Sequence, residues 1–368
     1  MKHRITKLLR MVVRNIKHSV ILRMEELFMF RKTFALLLAV LMICSLAACG
    51  NTSSQEENKS SEGNTSVQEQ ADTDAASPVG TVANTLAEDE DALIAAYADK
   101  FEQKTYTDPD SGLSITYNLY LPEGYDASGS YPMAVFIADS SCTGNDPARS
   151  LTQGRGGLVW AAEEWQSVHP TIVAVPTYPE TILDDHSGYT TTEYVELTKR
   201  YIDYMSSEYA VDTSRIYGTG QSMGCMTTLI LASEYPDLYA ACMFVDGQWD
   251  VNTLTGLESQ TFVYFAAEDD QMAWTGAQEV MSMFDKDSAS YKYEQWDGSW
   301  SVDELSAAAE KLFTADEDQY FISWKTGTIG ADGGGNGGPG GGASYHMASF
   351  DYAYNCVAAM EWLFQQSK

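Results

Sequence analysis

The stretch RIYGTGQSMGCMTTL, residues 215–229, decides how this chain folds. It opens with the apolar and β-branched residues of a strand, passes through glycines and continues as a helix-like run. Gly220-Gln221-Ser222-Met223-Gly224 fits the pattern G-x-S-x-G, whose glycines permit a turn so tight that flanking side chains would collide. Such a turn exposes the serine hydroxyl in a strained conformation. We therefore predict that Ser222 is a nucleophile rather than a structural turn serine.

Outward from this stretch, apolar runs of strand length alternate with amphipathic runs of helix length from about residue 92 onward. Several of the runs are apolar on both faces, as strands covered by helices on each side must be. The pattern predicts an α/β fold with a doubly wound, mostly parallel sheet, whose site lies beyond the carboxyl ends of the strands. The predicted strands are residues 113–122, 131–139, 171–179, 215–220, 239–247, 261–269, 291–296 and 320–327.

A serine hydroxyl is a poor nucleophile until a base, most often histidine, takes its proton. The histidines of the chain are His3, His18, His169, His186 and His346. In α/β folds of this kind the order along the chain is nucleophile, acid, base, and only His346 follows Ser222. We predict His346 as the base, on a loop directly before the final helix. His169 falls at the wrong end of the sheet, and His186 is expected on a surface loop.

The carboxylate that orients the base should follow a strand between these two residues. The stretch TFVYFAAEDDQMAW supplies Glu268, Asp269 and Asp270 directly after a strongly apolar strand. Asp246, in FVDGQWD after the preceding strand, is the alternative.

Residues 105–368 resemble an α/β-hydrolase of the polyhydroxybutyrate depolymerase, feruloyl esterase and secreted-peptidase-like branch. The resemblance rests on YNLYLPEGYD, GTGQSMGCM, YFAAEDD and the histidine followed by AMEWLF. It implies acyl transfer to water through an acyl-serine, with Asp269 as the orienting acid. It also implies an oxyanion hole made by the backbone N–H groups of Met223 and Ser140.

Two features depart from the family. Ala138-Asp139 stand where relatives usually carry His-Gly, so the conformation of the loop bearing Ser140 is open to question. Residues 330–346 are rich in glycine but lack a phosphate-loop lysine and the strand-to-helix context, which argues against nucleotide binding. This segment is expected to be a floppy insertion, with the alternative that it lets His346 swing or a lid open.

Charge excludes one class of partner. The chain has 22 Lys and Arg against 52 Asp and Glu, and nine of the basic and two of the acidic residues precede Cys49. The part from Cys49 onward therefore carries about −37. Nucleic-acid binding requires neutralisation of phosphates by cations, so we expect no nucleic-acid partner.

The N-terminal region has a sequence typical of an export signal. Arg31 and Lys32 precede an apolar run and small residues, and Leu46-Ala47-Ala48-Cys49-Gly50 resembles the lipobox of bacterial lipoproteins. We predict a signal over 1–48, lipidation and membrane anchoring at Cys49 outside the cytoplasm, a disordered linker over 49–91 and the hydrolase domain over 92–368.

The sequence leaves the substrate open between carbohydrate-linked or other small esters and peptides. Trp249 and Trp274 follow strands on the active-site side and could stack a sugar or an aromatic acyl group, or pack in the core. Trp160 and Trp362 are expected to be packing residues. No metal or cofactor is predicted, and a non-catalytic binding lipoprotein is the alternative from another class. The cysteines beyond Cys49 are expected to be small buried thiols with at most one disulfide.

Overall fold

A computed structural model of the chain describes residues 90–315, 317–330 and 341–368. The predicted signal of residues 1–48 and residues 49–89 of the predicted linker lie outside this part. Its helices are α1 (Glu90–Tyr97), α2 (Arg149–Thr152), α3 (Glu163–Gln166), α4 (Glu193–Glu208), α5 (Met223–Glu234), α6 (Gln271–Asp287), α7 (Val302–Phe313), α8 (Gly341–Tyr354) and α9 (Val357–Phe364). None of the described helices combines the length and apolar character that a membrane span requires.

The strands of the described residues are β1 (Glu102–Thr107), β2 (Ser114–Tyr120), β3 (Tyr131–Ile137), β4 (Ile172–Thr177), β5 (Leu183–Asp184), β6 (Thr190–Thr191), β7 (Val211–Gln221), β8 (Ala241–Val245), β9 (Phe262–Ala267), β10 (Lys292–Trp296) and β11 (Gln319–Trp324). A nine-stranded sheet has the order β1-β2-β4-β3-β7-β8-β9-β11-β10. The β1–β2 and β2–β4 pairs are antiparallel. The pairs from β4 through β10 are parallel.

Burial explains why the sheet is parallel at its centre. Every residue of β4, β8, β9 and β11 is buried, so these strands must be covered on both faces. Leu312, Phe350 and Trp362 of α7, α8 and α9 belong to the apolar cluster on one face. Helices α4, α5 and α6 contribute to the cluster on the other face, with the side chains Ile202, Leu229 and Phe284. The predicted doubly wound α/β architecture is confirmed.

Each of the eight runs predicted as strands overlaps a strand of the sheet. The prediction missed β1 and the short antiparallel hairpin of β5 and β6. The sequence of β1, EQKTYT, is mostly polar and largely exposed, so it lacks the apolar run on which the prediction depended. Trp160 and Trp362 are buried in the apolar core, as predicted for packing residues.

The four cysteines of the folded domain are free and buried, as expected for small core residues. They are Cys142, Cys225, Cys242 and Cys356. The described domain is therefore held together by its apolar layers and the sheet ladder, without a disulfide among these residues.

Candidate active site

Ser222 occupies a sharp turn between β7 and α5. Its backbone has φ 51° and ψ −117°, a positive φ that is uncommon for a residue with a Cβ and strained when it occurs. The turn is fixed on both sides, because the Ser222 N–H donates to the Val245 carbonyl at 3.1 Å and the Ser222 carbonyl accepts from Met226 N–H at 2.9 Å. The strained conformation predicted from the glycine pattern is present.

The flanking glycines are required by close backbone contacts. A Cβ on Gly220 would lie 2.4 Å from the carbonyl carbon of Gly224. A Cβ on Gly224 would lie 1.8 Å from the carbonyl oxygen of Ile137, at the end of β3. Any side chain at these positions would therefore push α5 away from β7 and β3.

The turn opens into a cavity of about 840 Å³ at the carboxyl ends of the strands. Ser222 follows β7 and Ser140 follows β3, as the rule for open α/β sheets requires. The five residues predicted for the catalytic machinery all line this one cavity. They are Ser140, Ser222, Met223, Asp269 and His346.

His346 lies inside helix α8, not on a loop before the final helix as predicted. Its Nδ1 is 2.5 Å from Oδ2 of Asp270 and 3.1 Å from Oδ2 of Asp246. A carboxylate can only accept a hydrogen bond, so Nδ1 must carry a proton. In the neutral ring Nε2 is then the basic nitrogen. Among the hydrogen bonds of the described residues, none joins the Ser222 hydroxyl to this ring. Catalytic hydrogen bonds are often long in structures without substrate and shorten when the substrate binds.

The structure does not bring Asp269, the carboxylate predicted to orient the imidazole, into contact with His346. Oδ2 of Asp269 instead accepts the N–H of Gly327 at 2.6 Å. The residue after it, Asp270, reaches the ring, and so does Asp246, which the sequence analysis kept as its alternative. Asp270 could have been found as a helix N-cap, because its side chain accepts the N–H groups of Met272 and Ala273 at the start of α6.

Burial and mutual contact shift the pKa values of these three groups. Burial lowers the pKa of His346, but hydrogen bonds and charges from both carboxylates outweigh this and raise it to about 10. Burial raises the pKa of Asp246 to about 6, against the opposing effect of His346. Burial also raises the pKa of Asp270. Its hydrogen bond with His346 and the backbone N–H groups that it accepts outweigh burial, so the pKa of Asp270 lies below the usual range. The imidazolium form is therefore strongly stabilised.

The ligand atoms of these three side chains lie within 4.8 Å of one another, a spacing that would allow a cation to bind. The same atoms already make the hydrogen bonds that orient the imidazole. The three side chains are therefore already paired with one another without a cation.

The loop after β3 is held in place by Asp139. Its Oδ1 accepts the N–H of Ser141 at 2.8 Å and so caps the short 3₁₀ turn Ser140–Cys142. Ser140 starts this turn and Met223 starts α5, and the first N–H groups of a helical segment have no partner within it. Since both residues line the cavity, their N–H groups are candidate oxyanion donors. Asp139, one of the two residues that stand in place of the family's His-Gly, therefore stabilises the loop that bears Ser140.

The other singled-out residues fall outside the reacting centre. Among the described residues that line the cavity, neither Trp249 nor Trp274 is found. The ring of Trp249 packs edge-on against Tyr189, and Trp274 stacks on Tyr293. The interpretation that these tryptophans stack substrate in the cavity is therefore not supported.

The two other histidines of the domain lie in different surroundings. His169 pairs with Glu361 at 2.8 Å and packs against Trp165, and it is not among the residues described as lining the cavity. His186 lines the cavity wall with an exposed side chain, so it is both a surface residue, as expected, and a pocket residue.

The model of an esterase family described as "Putative esterase" matches residues 111–314. The chain belongs to this family. The matched range contains Ser222, Asp246 and Asp270 and ends before His346. Together with the sheet and helices described above, it identifies the fold as an α/β-hydrolase of the esterase branch.

Curated relatives match parts of this esterase-family chain. Acetylxylan esterase A of Emericella nidulans is 25% identical over 177 residues, which are 43% of this chain and 55% of the relative. Feruloyl esterase B of Talaromyces funiculosus is 36% identical over 64 residues, 17% of either chain. The chain thus spans about half the length of the first of these relatives and less of the second.

A solved structure has the same fold. The crystal structure of a thermostable esterase has a TM-score of 0.59 and 24% identity, covering 74% of this chain and 64% of the other. This similarity supports the α/β-hydrolase fold alone.

Proposed function

We propose that the protein is a carboxylic ester hydrolase that acts through an acyl-serine intermediate. The observation that carries the proposal is that Ser222, on a strained turn, and His346, whose Nδ1 is held by carboxylates, line the same cavity. Folding alone does not explain the turn, since strain at a serine costs stability and is concentrated at functional positions.

The reaction would begin when Nε2 of His346 removes the proton from the Ser222 hydroxyl as the oxygen attacks the ester carbonyl. The N–H groups of Met223 and Ser140 would bind the negative oxygen of the tetrahedral intermediate. His346 then gives its proton to the leaving alcohol, and an acyl-serine remains. Water, deprotonated by the same ring, releases the carboxylic acid and restores Ser222.

The curated relatives suggest the class of ester. Two of them are named for acetylxylan and feruloyl ester cleavage. The cavity also carries the carboxylates of Asp184, Asp185, Asp269 and Asp270, so an additional negative charge on the substrate would be repelled. We therefore assign uncharged acyl esters, with carbohydrate-linked acetyl or feruloyl groups as the leading candidates.

Nucleophile labelling tests this function. A fluorophosphonate probe should label Ser222, and Ser222→Ala should lose labelling and at least about 10⁴-fold of p-nitrophenyl acetate turnover. Ser282→Ala, an exposed serine on α6, is the matched control and should behave as wild type. If the wild-type protein is neither labelled nor active, the function is that of a non-catalytic binding protein. Faster turnover of amides than of matched esters would instead indicate a peptidase.

The N-terminal sequence supports a place for this activity at a membrane surface. Leu46-Ala47-Ala48-Cys49-Gly50 resembles a lipobox, and several acyl chains on Cys49 would anchor the domain durably outside the cytoplasm. Metabolic labelling with an alkyne fatty acid, with Cys49→Ala as the control, tests this assignment. Equal labelling of the two proteins, or wild type in the soluble fraction, would contradict it.

A further inference from the structure

Two carboxylates, rather than one, reach the catalytic imidazole, and they do so in the same way. Asp246 follows β8, and its Oδ1 accepts the N–H of Ala267 at 2.7 Å. Asp270 precedes α6, and its Oδ1 accepts the N–H of Met272 at 3.0 Å. In both residues this leaves Oδ2 for Nδ1 of His346. Each carboxylate is therefore anchored by backbone of its own and does not depend on the other for its position.

Asp246 has no evident structural reason to be charged. It is fully buried, and its backbone is strained, with φ 48°. Among the hydrogen bonds and ion pairs of the described residues, its side chain is joined to Ala267 N–H and His346. A buried carboxylate is costly unless it is paired, and strain of this kind is concentrated at functional positions. The cationic partner that accounts for Asp246 is the imidazolium of His346.

The neutral ring has one proton on Nδ1, and two acceptors lie within hydrogen-bond distance of it. Asp270 at 2.5 Å is the closer acceptor, and Asp246 at 3.1 Å is also within reach. If one acceptor is lost, the proton can be held by the other without movement of the backbone.

We propose that the role of orienting acid is divided between Asp246 and Asp270, so that either carboxylate alone keeps His346 in its working tautomer and orientation. The inference rests on the proposed ester hydrolysis and extends it, because a single orienting acid would serve that reaction. It makes the two aspartates positioning residues, since they act through His346 and do not touch the reacting atoms.

The test is a double-mutant cycle with Asp246→Asn, Asp270→Asn and the double variant, assayed on p-nitrophenyl acetate. Loss of a sole triad acid costs about 10⁴-fold in kcat. We expect each single variant to lose no more than about tenfold and the double variant about 10⁴-fold, far more than the product of the two single losses. A single variant as slow as the double variant would overturn the proposal, because one carboxylate would then carry the whole role.

The pH profile separates positioning from a purely structural effect. Each negative charge stabilises the imidazolium, so loss of either one should shift the acidic limb of kcat/KM to lower pH, and loss of both should shift it further. Asp108→Asn, a buried aspartate that accepts from Ser111 and Tyr106, is the matched control and should leave the limb in place. If the acidic limb of kcat/KM stayed at the wild-type pH in both Asp246→Asn and Asp270→Asn, the proposal would be contradicted.

Folding is monitored by Tm in every variant. Asp270→Asn keeps a residue that caps helices as well as aspartate does, so α6 should remain intact. This variant alone decides the question if Asp246→Asn fails to fold, because only Asp246 would then be left to hold the ring. An inactive wild type would refute ester hydrolysis itself, whereas an active wild type with one indispensable aspartate would refute only the divided role.

Discussion

Gln221 donates its side-chain amide to Oδ2 of Asp139 at 3.1 Å, joining the residue before the nucleophile to the residue before Ser140. The same amide donates to Oε1 of Gln153 at 3.0 Å. Gln221 and Asp139 are both buried, so this link is shielded from water. The nucleophile turn and the loop that carries the second oxyanion donor are thereby held as one unit.

Replacing Gln221 by leucine should weaken the oxyanion site while leaving Ser222 in place. Removal of the amide leaves the buried Asp139 carboxylate short of a donor, at a cost of about 1–3 kcal/mol. The loss of one oxyanion donor lowers kcat by about 10²–10³-fold, and a loosened donor should cost about 10–100-fold. Steady-state kinetics on p-nitrophenyl acetate measure this loss of kcat in Gln221→Leu. Gln260→Leu, at a buried glutamine that donates to the Pro236 carbonyl, is the control, and an equal loss in both variants would refute the link.

Gly224→Ala should destabilise the domain. The new methyl group would lie 1.8 Å from the Ile137 carbonyl oxygen, so α5 must move away from β3 at a cost of about 1–3 kcal/mol or more. Gly112→Ala is the comparison, since its Cβ meets open space and the cost is that of positive φ alone, about 1–2 kcal/mol. Thermal unfolding should give a clearly lower Tm for Gly224→Ala. If Gly224→Ala lowered Tm less than Gly112→Ala, the contact between α5 and β3 would be shown to adjust without strain.

Activity and stability should respond to pH in opposite directions. The base must be neutral, and the pKa of His346 is raised to about 10, so kcat/KM should rise with pH towards that value. A histidine with a raised folded-state pKa contributes stability that is complete below its ordinary pKa of about 6.5 and is lost as pH rises to the raised value.

These two trends are measured separately. Ester hydrolysis is followed from pH 6 to about 10, with Ser222→Ala as the background for spontaneous hydrolysis. Unfolding is followed over the same range, and His346→Gln should lack the part of the stability loss due to this group. A flat kcat/KM above pH 7 would contradict the raised pKa of the base.

The cavity should discriminate against negative charge on the substrate. The carboxylates of Asp184 and Asp185 belong to its wall, so a p-nitrophenyl hemisuccinate should be cleaved at least about tenfold less efficiently than an uncharged ester of similar length. Salt should narrow the difference because it screens exposed charges. Asp184→Asn and Asp185→Asn should each raise kcat/KM for the anionic ester more than for the neutral one. Equal kcat/KM values for the two esters in the wild type would remove the electrostatic argument.

Apolar periodicity predicted eight of the nine strands of the sheet, and the glycine pattern predicted the turn at Ser222. The order of residues along the chain selected His346, which lines the same cavity as Ser222. The orienting acid was not predictable in this way, because Glu268, Asp269 and Asp270 follow one strand and point to different partners. Glu268 accepts from Gln295, Asp269 from Gly327, and Asp270 contacts His346. Which of the three adjacent carboxylates reaches His346 depends on the path of the turn after β9, and the sequence pattern does not determine that path.

The segment that contains His346 shows a second limit. Glycines before it suggested a loop, yet α8 begins at Gly341 and runs through His346. Phe350, Ala353 and Tyr354 of this helix are buried in the core, so tertiary packing outweighs the low helix propensity of its first residues.

The buried thiols have a consequence for handling the protein. Burial raises the pKa of Cys142 and of Cys356 to about 12, and it also raises the pKa values of Cys225 and Cys242. Alkylating agents and oxidants attack the thiolate, and these side chains neither form it readily nor meet solvent. The folded domain should therefore work equally well in dithiothreitol and in air, which makes it indifferent to whether its surroundings are reducing or oxidising.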